Sequence, residues 1–341
     1  MSRPITKVYG TLLLGDDPLS VTRAGNIIKN GGLVAFPTET VYGLGAAATD
    51  SEAVKRIFTA KGRPLDNPLI VHISSREQLN QIAKTVPDTA NILIDKFWPG
   101  PLSLVLHRSE AVPAIVSAGL STVAVRMPNH RVALDLIAAS GVPIAAPSAN
   151  RSGRPSPTTY NHVLEDLAGR IDAVIRSTIC PIGVESTVLD LTGLKPVMLR
   201  PGGLTREELE ETLGCRLEIS GLKYSGSAPH SPGMKYRHYS PRAPLILVTG
   251  PINRRRRLIK MIFNYYRRKG LRVGYLDPGT PEDLMTETGS EQLARNLYSN
   301  LRRMDALEMD LILAEETEPA GLGLAVMNRI RKAAVRVLNI K

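Results

Sequence analysis

The sequence predicts an α/β protein with two domains, and three observations support that prediction. Short apolar runs of strand length alternate with segments of helical periodicity along most of the chain. The length of 341 residues exceeds what one hydrophobic core comfortably supports. The alternation breaks between about Ser220 and Pro241, where Ser, Gly, Pro, His and Tyr dominate. We therefore expect domains at residues 1–218 and 243–341, joined by a linker at residues 219–242.

The first domain is predicted to contain one main sheet. Strands are expected at residues 33–36, 68–73, 102–107, 123–127, 143–146, 184–189 and 196–200. Helical patterns cover residues 51–60, 131–140 and 158–167, and a further helical region ends near residue 97. Thr205 and Glu208 form a capping box for a helix that ends at Leu213.

The second domain repeats the alternation in a shorter segment. Strands are expected at residues 245–248, 272–276 and 310–314, with helices beginning near residues 254 and 324. Between them lies a helix whose apolar face consists of Ala294, Leu297, Leu301 and Met304. This order predicts a small, mostly parallel open sheet.

The chain is strongly basic, with a net charge of +11. Such an excess favours polyanionic partners, either nucleic acid or nucleotide phosphates. Part of the charge lies in two runs, residues 254–257 and 267–269, whose spacing suits the polar face of one helix. A solvated face and an RNA-contacting face both have this pattern. The aromatic content of 4% argues against a platform on which bases stack.

Several classes of protein are not supported by the sequence. No apolar run approaches the roughly 18 residues of a membrane helix, and the first residues lack the apolar core of a signal peptide. Cys180 and Cys215 form no CxxC motif, which disfavours a disulfide framework or a thiolate metal site. Because this cysteine usage fits a reducing compartment, we expect a cytoplasmic location. Motifs of zinc hydrolases, serine hydrolases and Walker-type nucleotide sites are lacking too.

Two short motifs suggest a pocket for a polyphosphate. Lys61 and Arg63 lie two residues apart at the predicted end of a helix, where they supply a point charge and a planar fork. Ser148 and Asn150 lie in a tight polar turn directly after an apolar strand. A solvated helix end and an ordinary turn would explain either motif alone.

Other polar residues accompany these motifs at strand ends and turns. Arg126 lies within the apolar strand pattern of residues 123–127, where it needs either a buried ion-pair partner or a ligand carboxylate. The full candidate set is Thr38, Thr40, Lys61, Arg63, Asn67, His72, Thr122, Arg126, Ser148, Asn150, Ser156, Ser186 and Arg200. The number of such positions favours a small-molecule site.

The same segments resemble a known family, the threonylcarbamoyl-AMP synthases. They carry the motifs Pro37-Thr38-Glu39-Thr40-Val41-Tyr42-Gly43-Leu44-Gly45, Lys61-Gly62-Arg63-Pro64, Phe97-Trp98-Pro99-Gly100-Pro101-Leu102, Ala146-Pro147-Ser148-Ala149-Asn150, Gly183-Val184-Glu185-Ser186-Thr187 and Leu199-Arg200-Pro201-Gly202. Residues 231–239 are similar to the linker of the family's long, two-domain form. The resemblance implies a YrdC-like twisted sheet whose helices form a concave basic cavity, followed by a Rossmann-like domain.

The resemblance also implies a reaction. L-Threonine, bicarbonate or carbon dioxide, and ATP give threonylcarbamoyl-AMP and pyrophosphate, with Mg²⁺ bound through ATP and not by the protein. The product feeds threonylcarbamoylation of adenosine 37 in tRNAs that read codons beginning with A. Implied partners are therefore the downstream tRNA transferase and, as an open question, tRNA itself.

The resemblance assigns residues to each substrate. Threonine would contact Thr38, Thr40, His72, Arg126, Ala146 and Ser186. ATP would contact Lys61, Arg63, Asn67, Thr122, Ser148, Asn150, Ser156, Arg200, Tyr236 and His238. Lys61 and Arg63 would also be the catalytic pair, since they neutralise the triphosphate, and the linker would act as a lid. Thr38 and Thr40 are alternatives for the main threonine contact.

The chain departs from the family pattern at one place. Arg176-Ser177-Thr178 stands where Asp-Gly-Gly is usual, so we expect a different local turn. A basic RNA-binding module without chemistry is the main alternative function. A carbamoyl-transferring domain of hydrogenase maturation is a more distant one, because the cysteines of its zinc-finger-like segments are lacking.

Overall fold

The computed structural model describes residues 6–220, 238–276 and 287–340, although not the side chains of residues 287–290. The chain divides into two compact units. Of the described residues, the first unit takes those up to residue 220 except Gly153–Pro155. The second unit takes that tripeptide and the residues from His238 onward. The greater part of the predicted linker, Tyr236 included, lies outside the described residues.

The first unit contains one large sheet of mixed strand direction. Its strands are β1 (Thr6–Val8), β2 (Thr11–Leu14), β3 (Val34–Phe36), β4 (Gly43–Ala47), β5 (Ile70–His72), β6 (Leu102–His107), β7 (Thr122–Arg126), β8 (Ile144–Ala146), β9 (Ala173–Ile175), β10 (Thr187–Asp190), β11 (Val197–Arg200) and β12 (Glu218–Ile219). The order across the described sheet is β1-β2-β9-β3-β4-β8-β5-β7-β6-β10-β11-β12. Parallel pairs such as β5–β7 stand beside antiparallel pairs such as β6–β7, which confirms the predicted mixed α/β fold.

Helices fill the connections between these strands. They are α1 (Pro18–Lys29), α2 (Ser51–Lys61), α3 (Arg76–Ile82), α4 (Asp88–Phe97), α5 (Arg131–Ser140), α6 (Tyr160–Leu167) and α7 (Arg206–Leu213). Helix α2 has a well-defined start, because the side chain of Asp50 accepts from the backbone N–H groups of Glu52 and Ala53. It ends where Gly62 adopts a left-handed conformation with φ of 62°, which a glycine reaches without steric penalty. Lys61 is therefore the last helical residue.

Several predicted elements have the expected bounds, and others do not. The strand at residues 102–107 and the helix at residues 131–140 are confirmed. The predicted strand at residues 184–189 is wrong in its first half, since β10 begins only at Thr187. The physical reason is that the guanidinium of Arg200 donates to the carbonyl of Ser186, which removes that carbonyl from a strand ladder.

The two faces of the central strands differ in what they carry. Alternate residues such as Val71, Val123 and Val125 point into the main hydrophobic core. On the opposite face, α1 and α5 cover the part of the sheet that includes Phe36 and Ile144. Farther along the same face, an apolar cluster consists of strand residues, namely Ile70, Val105, Ala124, Val188, Leu199 and the partly buried Val197.

The second unit contains a smaller sheet. Its strands are β13 (Leu245–Thr249), β14 (Val273–Leu276), β15 (Leu311–Glu315) and β16 (Arg336–Asn339), in the order β14-β15-β13-β16. Every described pair is parallel, as predicted for a small open sheet. The described helices are α8 (Ile252–Arg268), α9 (Glu287–Ala306) and α10 (Leu322–Ala333). None of the helices in the described ranges has both the length and the apolar character needed to cross a membrane.

Gly25 lets α1 approach α5 closely, and this contact gives a test of the fold. A Cβ at Gly25 would lie 2.8 Å from the carbonyl carbon of Ala139 and 2.9 Å from the nitrogen of Ser140. In an exposed helix, Gly→Ala stabilises by about 1 kcal/mol. Here we expect Gly25→Ala to lower the free energy of unfolding by about 1–3 kcal/mol, because it overpacks the interface.

Urea unfolding followed by Trp98 fluorescence measures this change, because Trp98 is the single tryptophan of the chain and lies in the first unit. The matched control is Asn26→Ala, at the neighbouring exposed position, which should leave stability unchanged or slightly higher. A stabilising Gly25→Ala would contradict the close packing of α1 and α5.

Candidate active site

The site begins with the register of the central strands. β5 and β7 run parallel with His72 opposite Arg126, and β8 places Ile144 opposite His72. Side chains of such partners point to the same face of a sheet, and neighbouring strands lie about 4.8 Å apart. His72 and Arg126 therefore emerge side by side, on the face opposite to the main hydrophobic core.

Arg126 is buried, and its guanidinium is held on three sides. Nε donates to the carbonyl of Gly100 at 3.1 Å, and Nη1 donates to Oγ1 of Thr40 at 3.0 Å. Nη2 lies 2.6 Å from Oε2 of Glu39, whose side chain is only 6% exposed. Each terminal nitrogen carries two N–H groups. Nη1 uses one of them for Thr40, whereas Nη2 meets Glu39 as an ion pair outside hydrogen-bond geometry, so N–H groups on both nitrogens are left for a ligand.

Glu39 is a residue that sequence reasoning passed over. Besides facing Arg126, its Oε1 accepts from the backbone N–H of Asn129 at 3.0 Å. The buried ion pair that was one of the two explanations for Arg126 is therefore present. The signal for Glu39 was an acid between two threonines directly after an apolar strand, which needs a partner once that segment is buried.

The two threonines have different roles in the local structure. Thr38 Oγ1 donates to the carbonyl of Val41 at 2.7 Å and accepts from the backbone N–H groups of Thr40 and Val41. The hydroxyls of Thr38 and Thr40 lie 2.8 Å apart. Thr38 thus closes its own turn, whereas the hydroxyl of Thr40 faces Arg126.

The imidazole of His72 is neutral over the physiological range. It is buried between backbone carbonyls, with Nδ1 3.2 Å from the carbonyl oxygen of Ile70, and it meets the ring of Phe36 edge to face. Burial, and secondly the positive charge of Arg126, lower the pKa of His72 to about 3. The side chain can therefore donate or accept a hydrogen bond without carrying charge.

A second polar group lies at the edge formed by β6, β10 and β11. Nη2 of the buried Arg200 donates to the carbonyl of Ser186 at 2.9 Å and to its Oγ at 3.2 Å. The hydroxyls of Ser186 and Ser103 are 2.8 Å apart. Gly202 is required beside them, since a Cβ there would lie 2.3 Å from the carbonyl oxygen of Glu185. Ser103 is a further member of the site that the sequence did not indicate.

Lys61 and the Ser148–Asn150 turn form one hydrogen-bonded unit. The buried Nζ of Lys61 donates to the backbone carbonyls of Ser148 and Asn150, and it lies 3.3 Å from Oδ1 of Asn150. The hydroxyl of Ser148 also donates to that Oδ1. The two motifs that suggested a polyphosphate pocket are therefore brought together, with the lysine shaping the turn.

Arg63 and Asn67 form a separate group just after α2. Nη2 of Arg63 donates to the carbonyls of Asn67 at 3.1 Å and Pro68 at 3.0 Å. The side chain of Asn67 is 1% exposed, and neither its Nδ2 nor its Oδ1 has a hydrogen-bond partner among the described residues. Such a buried amide costs stability unless a ligand or water satisfies it.

The remaining predicted residues lie in different places. Thr122 begins β7 and therefore lies about 13 Å along the strand from Arg126, on the same face. Ala146 ends β8 opposite Ile70. The buried Ser156 donates to Oε1 of Glu185 at 2.6 Å.

His238, Ser177 and Cys180 have different surroundings. His238 is buried within the second unit, against Tyr239, while Tyr236 lies outside the described residues. At the departure from the family pattern, Ser177 donates to Asp16 at 3.1 Å and its backbone N–H lies 3.3 Å from the hydroxyl of Tyr42. Burial raises the pKa of the Cys180 thiol to about 12, so it stays protonated and is no nucleophile.

The arrangement suits binding and orientation more than covalent chemistry. A fixed guanidinium beside hydroxyls and a neutral imidazole can hold a carboxylate and adjacent polar groups. In the described parts of the chain, no group of three His, Cys, Asp or Glu side chains is arranged to hold a metal ion. Together, this fold and this polar sheet face define an α/β protein that binds small molecules.

Comparisons with known proteins give the particular family. Residues 26–202 match the family of Sua5, YciO and YrdC proteins, described as "Telomere recombination", and residues 204–335 match the threonylcarbamoyl-AMP synthase C-terminal domain. The chain is 54% identical to the threonylcarbamoyl-AMP synthase of Pyrococcus abyssi, over 91% of this chain and 93% of that protein. Identity to the Bacillus subtilis synthase is 46%, over 94% of each chain.

A solved structure agrees with the sequence comparison. The crystal structure of P. abyssi Sua5 complexed with L-threonine superposes with a TM-score of 0.91 and 49% identity, and it covers 97% of this chain and all (100%) of that one. The chain belongs to the threonylcarbamoyl-AMP synthase family of the Sua5 type, which combines a YrdC-like domain with a Sua5 C-terminal domain.

The Glu39–Arg126 pair should matter to stability because both groups are buried. Glu39→Gln keeps the shape of the side chain but leaves the guanidinium without a charged partner. We expect the free energy of unfolding, measured with urea and Trp98 fluorescence, to fall by roughly 3 kcal/mol. Removing both charges in Glu39→Gln/Arg126→Gln should recover part of that loss.

The control for this prediction is an exposed ion pair. Asp135→Asn breaks the exposed Arg131–Asp135 pair on α5 and should change stability by less than about 0.5 kcal/mol. Equal effects of Glu39→Gln and Asp135→Asn would contradict the buried pairing.

The lowered pKa of His72 predicts a pH dependence of stability. Between pH 6.5 and about 3 the unfolded chain binds a proton at His72 that the folded chain does not. Stability contributed by the neutral imidazole is therefore complete above pH 6.5 and is lost as the pH falls, by up to about 1.4 kcal/mol per unit. His72→Asn should make the stability curve measurably flatter between pH 4.5 and 6.5.

The exposed His107 provides the comparison on β6, which is separated from β5 by β7. His107→Asn should retain the wild-type slope, since its side chain is solvated. Identical slopes for the wild type and His72→Asn would show that His72 is charged, or is not buried, in the folded protein.

Proposed function

We propose that this protein makes threonylcarbamoyl-AMP and pyrophosphate from L-threonine, bicarbonate or carbon dioxide, and ATP. The observation that carries the proposal is the buried Arg126, fixed by Glu39 and Thr40 and lying beside a neutral His72. Its support outside this chain is the similarity to the P. abyssi and B. subtilis synthases and to a structure with bound L-threonine.

Threonine would bind on the polar face of the sheet. Arg126 would take the carboxylate through the N–H groups that Glu39 and Thr40 leave available. Of the two threonines, we favour Thr40 as the direct contact, because the hydroxyl of Thr38 is engaged within its own turn. His72, Ala146 and Ser186 would complete this subsite.

ATP would occupy the adjoining groups. Arg63 and Lys61 supply positive charge, the Ser148–Asn150 turn supplies oriented polar groups, and the buried amide of Asn67 supplies a donor and an acceptor with no described partner. Thr122, Ser156, Arg200, Tyr236 and His238 are the further proposed contacts. The twisted sheet and its helices would form the basic cavity around the triphosphate.

The reaction needs little covalent participation by the protein. The amino nitrogen of threonine forms a bond to the carbon of carbon dioxide, or of bicarbonate with loss of hydroxide, and it releases a proton. A carbamate oxygen then attacks the α-phosphorus of ATP, and the bond from that phosphorus to the bridging oxygen breaks as pyrophosphate leaves. Lys61 and Arg63 would stabilise the developing charge, while Arg126 and His72 hold the carbamate in line.

Several finer points belong to the same proposal. Mg²⁺ would arrive as part of the ATP substrate, and the protein would work in the cytoplasm. Residues 1–218 would form the catalytic domain and residues 243–341 the second domain, while residues 219–242, with Tyr236, would shield the carbamate from water as a lid. The product would pass to a tRNA threonylcarbamoyl-transferase that modifies adenosine 37 of tRNAs reading codons that begin with A.

The test is pyrophosphate release from ATP and bicarbonate, with and without threonine, with mass spectrometry of the nucleotide product. Arg126→Gln should lower kcat/KM for threonine about a hundredfold, since charge-assisted hydrogen bonds to the carboxylate are lost. Arg126→Gln leaves the buried carboxylate of Glu39 unpaired, which could destabilise the fold. The double variant Glu39→Gln/Arg126→Gln avoids this unpaired charge, and its kcat/KM for threonine should be lowered to the same extent.

The control is Arg131→Gln, an exposed arginine on α5, which should turn over like the wild type. Release that does not depend on threonine, or an Arg126→Gln enzyme with unaltered kcat/KM, would overturn the assignment.

A further inference from the structure

Helix α8 carries an unusual concentration of positive charge. Residues 242–341 contain 18 Lys and Arg against 11 Asp and Glu. Helix α8 contains seven of those cations and none of the carboxylates. In residues 242–341, the excess of Lys and Arg over Asp and Glu therefore equals the number of cations in α8.

Two of the seven cations have an internal explanation. Arg255 and Arg256 extend toward Glu315, whose side chain is fully buried at the end of β15, and Nε of Arg255 lies 2.9 Å from its Oε1. The hydroxyl of Tyr275 donates to the same carboxylate at 2.5 Å. This network attaches α8 to the sheet and accounts for the charge that faces inward.

Four other cations take no part in this network, although the guanidinium of Arg267 lies over the ring of Phe263, 5.6 Å from its centre. Arg257, Lys260, Arg267 and Arg268 are exposed, and none lies within ion-pair distance of a carboxylate in the described parts of the chain. Arg267 and Arg268 lie in the last turn of α8, where the helix dipole favours a cation. Arg257 and Lys260 lie between the first and last turns and gain nothing from the dipole.

The four side chains share one side of the helix. Successive residues are rotated by about 100°, so Arg257, Lys260, Arg267 and Arg268 fall within an arc of about 100° over roughly 16 Å of helix. Asn264 lies within the same arc. We call these five residues the α8 basic face.

We propose that the α8 basic face binds the phosphate backbone of a structured RNA. Arginine forks and a lysine point charge are the side chains that pair with phosphate oxygens, and asparagine adds a neutral donor. The exposed Met261 borders the face and offers a polarisable surface to a sugar. The choice of RNA rests on the proposed function, because its product is destined for a tRNA.

Other occupants fit the face less well. A membrane-bound helix inserts apolar residues, but Leu258, Ile259, Ile262 and Phe263 pack against the sheet of the second unit. A protein partner would need an apolar core at the centre of the interface, where α8 presents cations. A face that only contacts water would not explain why α8 contains no Asp or Glu, because like charges three or four residues apart destabilise a helix.

The test is binding of a tRNA transcript to the full-length protein at several salt concentrations. Arg257→Gln/Lys260→Gln/Arg267→Gln/Arg268→Gln should weaken binding at least tenfold at about 100 mM salt. The slope of log K against log salt should fall by about 3, because each lost phosphate contact removes roughly 0.7–0.9.

The matched control removes the same charge from exposed positions of the first unit. Arg23→Gln/Lys29→Gln/Lys84→Gln/Arg170→Gln should keep the wild-type slope. If both variants lost the same tRNA affinity and the same salt slope, net charge alone would explain the binding, and the proposal would be overturned. Unchanged tRNA binding by the α8 variant would also overturn the proposal. This includes a variant that binds tRNA normally but loses affinity for phosphatidylserine vesicles or for a polyglutamate peptide.

Activity separates this proposal from the enzymatic one. The α8 variant should retain threonine-dependent pyrophosphate release, because its four residues lie outside the proposed threonine and ATP contacts. A protein that binds tRNA through α8 but makes no threonylcarbamoyl-AMP would refute the proposed function alone. A variant that releases pyrophosphate and binds tRNA with the wild-type slope would refute the α8 basic face alone.

Discussion

The buried pair of Arg126 and Glu39 is the interaction on which the rest of the first unit depends. A guanidinium within an apolar strand is tolerated when it is paired with an opposite charge and when several of its N–H groups have partners. The pair joins β7 to the segment after β3, and the carbonyl of Gly100 adds a third element. Residues distant in sequence are thereby fixed at one point, and the hydroxyl of Thr40 takes its position from this pair.

The alternation of side chains across the strands separates packing from chemistry. In β7, Val123 and Val125 enter the main core, while Thr122, Ala124 and Arg126 occupy the opposite face. A shift of one residue in strand register would move the valines out of the core and the polar residues into it. Burial of the valines therefore fixes the register in which the polar residues lie on the opposite face. The same rule places His72 in β5, between the core residues Val71 and Ile73.

Local signals explain which parts of the fold could be predicted from the sequence. Helix α5 has a clear helical period, and α2 has both a capping Asp50 and a terminal Gly62, so their positions follow from neighbouring residues. β4, Gly43–Ala47, was not predicted, because glycine and alanine are poor strand formers. Its glycines have a tertiary reason, since a Cβ at Gly45 would lie 2.9 Å from the ring of Phe36.

The candidate site divides in the same way. Cations and hydroxyls at strand ends were recognisable one by one, because polar residues beside apolar runs need partners. Which partner each would take was not recognisable, since Lys61 meets a turn nearly ninety residues away and Arg126 meets an acid of another segment. Nor did the sequence separate Thr38 from Thr40, because that distinction depends on the turn that Thr38 closes.

The pairing of Arg126 also bears on the kind of ligand that suits the site. Glu39 cancels the charge of the guanidinium but leaves N–H groups available on both terminal nitrogens. His72 adds no charge, because burial keeps its imidazole neutral. The subsite is therefore rich in directed donors and close to neutral overall. That combination suits a zwitterion, whose carboxylate needs oriented N–H groups while its opposite charge would be repelled by an unpaired cation. An amino acid meets this description, whereas a polyphosphate requires net positive charge, for which the proposed function relies on Lys61 and Arg63.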